Sequence, residues 1–226
     1  MDRQERISAM KRSLIIFFLA CVIALAACAA PPADVFETGS FPAEPVSSIY
    51  VVAAGQLPPI AAATVLADIK AEFTLPVEKR FQAAAFAATD SNDLLTRLRE
   101  LRGDRPLSTA MVVLTDRPLL AANPAISSIG VAVPALRSLV VATTEFQRRD
   151  QMMEQRDADD YSRLFFHLFA HALGVGHADD PDCLMQDWMN DSRRLMEIPD
   201  HYCADTLRVF QPFLKTRVAP PVKDKQ

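Results

Sequence analysis

The sequence has no surplus of positive charge and no basic stripe: 24 Lys and Arg stand against 28 Asp and Glu, a formal net charge of −4. A phosphate backbone finds no electrostatic footprint on such a chain, which excludes nucleic-acid binding. Internal repeats are also lacking, and nothing divides the chain into a second folded domain. Its 226 residues, 50% of them hydrophobic, suffice for one domain with a sizeable core. Cysteine is scarce: of four, Cys21 and Cys28 lie N-terminal to the domain, so only Cys183 and Cys203 remain within it. Two thiols cannot close a four-thiolate zinc site. Histidine is equally scarce, yet three of the four lie between His167 and His177.

What is present begins with a leader. Arg3, Arg6, Lys11 and Arg12 precede a run without charge from Leu14 to Ala30, slightly short for a spanning helix, which needs about 20 apolar residues. The run contains Leu25-Ala26-Ala27-Cys28, which resembles a bacterial lipoprotein signal. The expectation is a signal peptide over 1–27, lipid on Cys28, and a tether that does not span the bilayer. An uncleaved anchor or an ordinary secretory signal is the alternative. Residues 1–27 carry a net +2, so the remainder stands at −6. The prolines at 31, 32, 42 and 45 make 28–46 an extended linker, residues 47–215 the domain, and 216–226 a disordered tail. Location is then the cell envelope, facing the periplasm or the exterior. In that oxidising compartment Cys183 and Cys203 form either a disulfide, closing a loop of about 20 residues, or two separate buried thiols.

Within the domain, strands and helices alternate. Ile49-Tyr50-Val51-Val52 reads as a strand buried on both faces. Pro58 and Pro59 open a helix with Val65, Leu66, Ile69 and Phe73 on one stripe. A weak strand follows at 77–82. Ser91 is positioned to cap a second helix carrying Leu94, Leu95, Leu98 and Leu101, with Gly103 past its end. Strands are expected at 111–114, 129–133 and 139–143, the last two separated by a turn at Pro134. The charged run 147–160 reads as a surface connection, with Asp157 or Asp160 capping the helix that follows. A last helix holds Leu207, Val209, Phe210 and Leu214. The alternation predicts an α/β fold with a mostly parallel sheet.

His167 and His171 are four apart, so a helix presents both from one face to a single zinc ion. Gly174 can adopt a left-handed conformation, end the helix and bring His177 round as a third nitrogen ligand. Three ligands leave a fourth position open, which separates catalytic from structural zinc. The metallopeptidase form of this motif places Glu directly after the first His, as the general base. Here that position holds Leu168, which accepts no proton. Taken singly, each histidine is equally well a hydrogen-bonded core residue, because Leu164, Phe165, Phe169 and Leu173 make the helix apolar on most sides.

His-x3-His-x2-Gly-x2-His, followed by Cys183-x-Met185 and then Cys203, resembles the archaemetzincins, a branch of the metzincin zinc peptidases; the likeness extends, more weakly, over roughly 48–213. The resemblance implies a metzincin-like mixed, mostly parallel sheet with packed helices, including a zinc-binding helix, a methionine turn and a C-terminal helix. It implies one Zn2+ on His167, His171 and His177, with Met185 in a tight turn as an apolar floor. It also implies a peptide or protein substrate paired along an antiparallel edge strand, for which 129–133 is the candidate. The family carries a second zinc on four cysteines; the matching positions here are Ala178, Cys183, Cys203 and Thr206, so a second structural zinc is not expected.

Three readings follow. The first is a zinc metallopeptidase of the envelope, its activity weak or lost because Leu168 replaces the general base, unless Asp179, Asp180 or Asp182 reaches the site. The second is a non-catalytic lipoprotein that binds peptides, partners or metal on the same fold. The third is a purely structural domain with its histidines in core packing. His201 lies outside the three-histidine pattern and reads as surface, or as a partner of the metal-site loop.

Overall fold

A computed structural model describes residues 44–119, 129–144, 146, 154–187 and 201–215. The leader with Cys28, most of the linker and the tail 216–226 lie outside the described residues. The elements are β1 (Ser48–Ala54), α1 (Pro59–Glu72), β2 (Val77–Gln82), α2 (Ser91–Arg102), β3 (Thr109–Thr115), β4 (Gly130–Val133), a single 3-10 turn (Pro134–Leu136), β5 (Ser138–Ala142), α3 (Gln155–Ala172) and α4 (Ala204–Phe210). The strands form one sheet in the order β2-β1-β3-β5-β4. All its pairings are parallel except β4 with β5, so Gly130–Val133 is an antiparallel strand at one edge.

The sheet separates two cores because successive side chains point to opposite faces. Ile49, Val51, Val112, Leu114, Leu139 and Val141 face α1 and α3. Tyr50, Val52, Met111, Val113, Val131 and Val140 face α2. The fold is therefore a mixed, mostly parallel α/β sheet with helices on both sides. Among the described residues no helix is long and apolar enough to cross a membrane.

The site depends on α3. Tyr161, Leu164, Phe165, Leu168, Phe169 and Ala172 recur at helical spacing and are buried, which turns this face onto the sheet. Tyr161 donates to the carbonyl of Val141 in β5 at 3.1 Å. At the other end, Phe73 sits among Phe166, Phe169, Phe210 and Phe213 with ring centroids 5.4 to 5.9 Å apart, fixing α4 to α1 and α3.

Several expectations need correction. The cap of α2 is Asp90, whose carboxylate accepts from the amides of Asn92 and Asp93 at 2.8 and 2.9 Å; Ser91 is the first helical residue. The helix that carries His167 and His171 starts at Gln155, so the last part of the expected surface connection is helical. Glu154 stands at the N-cap and shares a capping box with Asp157, whose carboxylate accepts from the Glu154 amide at 3.3 Å, so Asp157 takes part in the cap as expected, while Asp160 is buried one turn further in and paired with Arg163 at 3.0 Å. The last helix ends at Phe210; Leu214 lies beyond it and bridges Phe73.

Candidate metal centre

Leu173 closes α3, and Gly174 follows with φ +93°, a conformation that side-chain-bearing residues rarely adopt. The Gly174 amide donates to the His171 carbonyl at 2.9 Å and the Val175 amide to that of Ala170 at 3.0 Å, so the chain turns back across the helix end. That reversal brings His177 to the two helical histidines. The three offer ring nitrogens all within 4.8 Å of one another. The Nε2 of His171 lies 3.0 Å from that of His167 and 3.1 Å from that of His177. His167 and His171 are buried, and His177 is half-buried.

The Nδ1 atoms decide what these contacts are. Nδ1 of His167 faces the Leu184 carbonyl at 2.9 Å, and Nδ1 of His171 faces the Val175 carbonyl at 2.7 Å. A carbonyl only accepts, so both Nδ1 atoms carry a proton, and in the neutral imidazoles both Nε2 atoms present lone pairs. Lone pairs converging at this distance repel; a cation among them turns the repulsion into coordination. Tetrahedral zinc with bonds of about 2.0–2.1 Å holds its nitrogens roughly 3.3 Å apart. The donor set, its tautomers and its spacing therefore fit a single metal ion.

The surrounding loop is tightly tied. The Ala178 amide donates to the Met185 carbonyl at 2.8 Å, and the Leu184 amide to the His201 carbonyl at 2.9 Å. His201 is thus an exposed residue whose backbone supports this loop. Cys183 and Cys203 are joined in a disulfide with Cα atoms 5.0 Å apart, and Met185 is fully buried in the same turn. Ala178 is half-buried, and Thr206 places its hydroxyl 3.3 Å from the sulfur of Cys203.

Leu168 has no exposed surface. Its Cδ1 lies where a methyl on Gly130 would stand, 2.4 Å away, so the side chain following the first histidine is pressed onto the antiparallel edge strand. Asp179, Asp180 and Asp182 lie on the loop after His177, and Asp180 spends an oxygen on the Asp182 amide at 3.0 Å. Among the described residues the ligand cluster contains the three imidazoles and no carboxylate. Sequence reasoning missed the carbonyls of Leu184 and Val175, since any residue supplies one, and Gly130, whose only signal was glycine within a strand.

Fold and site together define a mixed, mostly parallel α/β protein with a three-histidine group able to hold a metal ion. No family model matches the sequence, and no curated protein matches it. Solved structures do. A zinc-dependent peptidase from Methanocorpusculum labreanum gives a TM-score of 0.56 at 17% identity, over 72% of this chain and 99% of that one. Archaemetzincin from Methanopyrus kandleri gives 0.55 at 18% identity, over 76% and 97%. Archaemetzincin from Archaeoglobus fulgidus, solved with malonate, gives 0.54 at 16% identity, over 72% and 99%. At these identities the likeness establishes the fold, and function rests on the residues of this chain.

Proposed function

We propose that this protein is a zinc-binding lipoprotein of the cell envelope, built on the peptidase fold, that holds peptide or protein ligands and hydrolyses them slowly or not at all. The observation that carries the reading is the pairing of three converging Nε2 atoms with a buried Leu168 packed on Gly130. His167, His171 and His177 would hold the ion, and zinc there would act as a Lewis acid toward an oxygen ligand. Leu168 takes no proton from that ligand. General-base catalysis commonly contributes about 10²–10⁴ in rate, so hydrolysis should fall by that order. Under this reading an extended chain would add as a strand along β4, the antiparallel edge strand beside Leu168, whose residues are buried in this structure.

The buried Tyr161 and Leu164 on the same helix fix α3 to the sheet whether or not metal is bound. A purely structural role for the histidines is disfavoured by the tautomers: core histidines donating from Nδ1 would not point bare nitrogens at one another. Envelope location is supported by the Leu25-Ala26-Ala27-Cys28 stretch and agrees with a disulfide, which persists in oxidising compartments. Labelled fatty acid incorporated by the parent and not by a Cys28→Ala variant tests the anchor.

Elemental analysis of protein purified without added metal tests the site. About one zinc per chain, lost on His171→Ala, is expected. A Leu168→Glu variant that gains peptide hydrolysis absent from the parent supports the non-catalytic reading. Efficient hydrolysis by the parent overturns it.

A further inference from the structure

We propose that the Cys183–Cys203 disulfide is a positioning element of the metal centre, holding His167 in its ligand geometry through the carbonyl of Leu184. The proposal rests on the zinc reading above.

It follows from an asymmetry among the histidines. The partner of His171, the Val175 carbonyl, lies four residues on and is fixed locally, because the Gly174 and Val175 amides bond back to the helix end. The partner of His167 comes from 17 residues away, on a separate turn. That turn, Cys183-Leu184-Met185, has its own internal contacts: the Met185 amide donates to the Cys183 sulfur at 3.2 Å and the Gln186 amide to the Cys183 carbonyl at 3.1 Å. Internal bonds shape a turn without fixing its place. Among the described residues the Met185 carbonyl ties it to the Ala178 amide on the histidine loop, and two bonds lead toward the C-terminal segment, the Leu184 amide to the His201 carbonyl and the disulfide to Cys203. Cys203 caps α4, and α4 is anchored by Phe210, which is fully buried in the aromatic cluster. The covalent path from α4 to the Leu184 carbonyl is thus the disulfide and one residue. Partners that orient a ligand histidine contribute typically about 10–100-fold to metal affinity.

The test compares the oxidised parent, the parent opened by a water-soluble phosphine, and a Cys183→Ala/Cys203→Ala double variant. The phosphine is oxidised to its oxide with an oxygen from water, and the two sulfurs leave as thiols. Zinc affinity is measured by competition with a chromophoric chelator, and the geometry by the visible spectrum of bound cobalt(II). Opening the bond should weaken zinc about 10–100-fold and shift the cobalt spectrum. In the apo protein it should weaken the hydrogen-bonded Nδ1–H resonance of His167 and leave that of His171. A bond serving the fold alone would lower the melting temperature and leave affinity and the His167 resonance unchanged, which overturns the proposal. So does loss of secondary structure on opening. If the double variant fails to fold, the phosphine-opened protein, made from folded chain, carries the test. Absence of zinc from the oxidised parent sinks the metal reading first, and this proposal with it.

Discussion

Gly130→Ala perturbs the contact that most distinguishes this site. A methyl there would stand 2.4 Å from Leu168 Cδ1 and 3.4 Å from the Val140 carbonyl oxygen. Carbon atoms in good contact are about 3.5–4.0 Å apart, so the overlap with Leu168 is roughly 1 Å. Leu168 is wholly buried, so any rotation of its side chain has to be made within the packed core. Overpacking of this kind costs about 1–3 kcal/mol. Leu168→Ala alone truncates a side chain in a packed core, at about 2–5 kcal/mol. In the double variant the methyl introduced on residue 130 enters the space that the leucine vacates, so the two costs should not add. The expected coupling is favourable by at least about 1 kcal/mol. Urea denaturation of the four proteins, disulfide intact, reads this as shifts of midpoint at constant slope. Costs that sum to within about 0.5 kcal/mol would refute the contact, and with it the claim that Leu168 closes the gap between the metal helix and the edge strand.

Gly174→Ala forces a side chain into φ +93°, so it should cost about 1–2 kcal/mol and weaken zinc binding by displacing His177, read by denaturation and chelator competition. Asp90→Ala should cost about 1 kcal/mol by removing the cap of α2, while Ser91→Ala changes stability little; equal effects would return the cap to Ser91. Burial raises the pKa of Asp160 above its usual value, against the opposing pull of Arg163, and one of its oxygens is buried without a hydrogen-bond partner. A raised folded-state pKa means that ionisation costs stability above that pKa, and that the cost fades as pH falls through it. Asp160→Asn should therefore gain most, relative to the parent, at neutral pH and lose that advantage on acidification; an advantage that grows in acid contradicts the burial argument.

Much of the architecture follows from local rules that the chain states openly. The buried run at 49–52, proline at the head of α1 and the leucine spacing of α2 act within a few residues, so the elements and their alternation are legible. The spacing of His167, His171 and His177 around Gly174 is local in the same sense, because helix geometry and one glycine suffice to gather three nitrogens. Even there competition between neighbours was hidden: Ser91 and Asp90 both suit a cap, and only the backbone path chose the carboxylate.

What tertiary structure alone decided is everything that depends on partners far along the chain. Leucine after the first histidine says that a base is missing, but not that Gly130, on another element, makes room for it. Two cysteines allow a bridge or separate thiols; the approach of their Cα atoms to 5.0 Å comes from α4 docking through Phe210 on Phe73. The carbonyls that set the tautomers of His167 and His171 leave no trace in sequence, since every residue carries one. Sequence periodicity encodes which face a side chain occupies, and the packing of distant elements determines what that face meets.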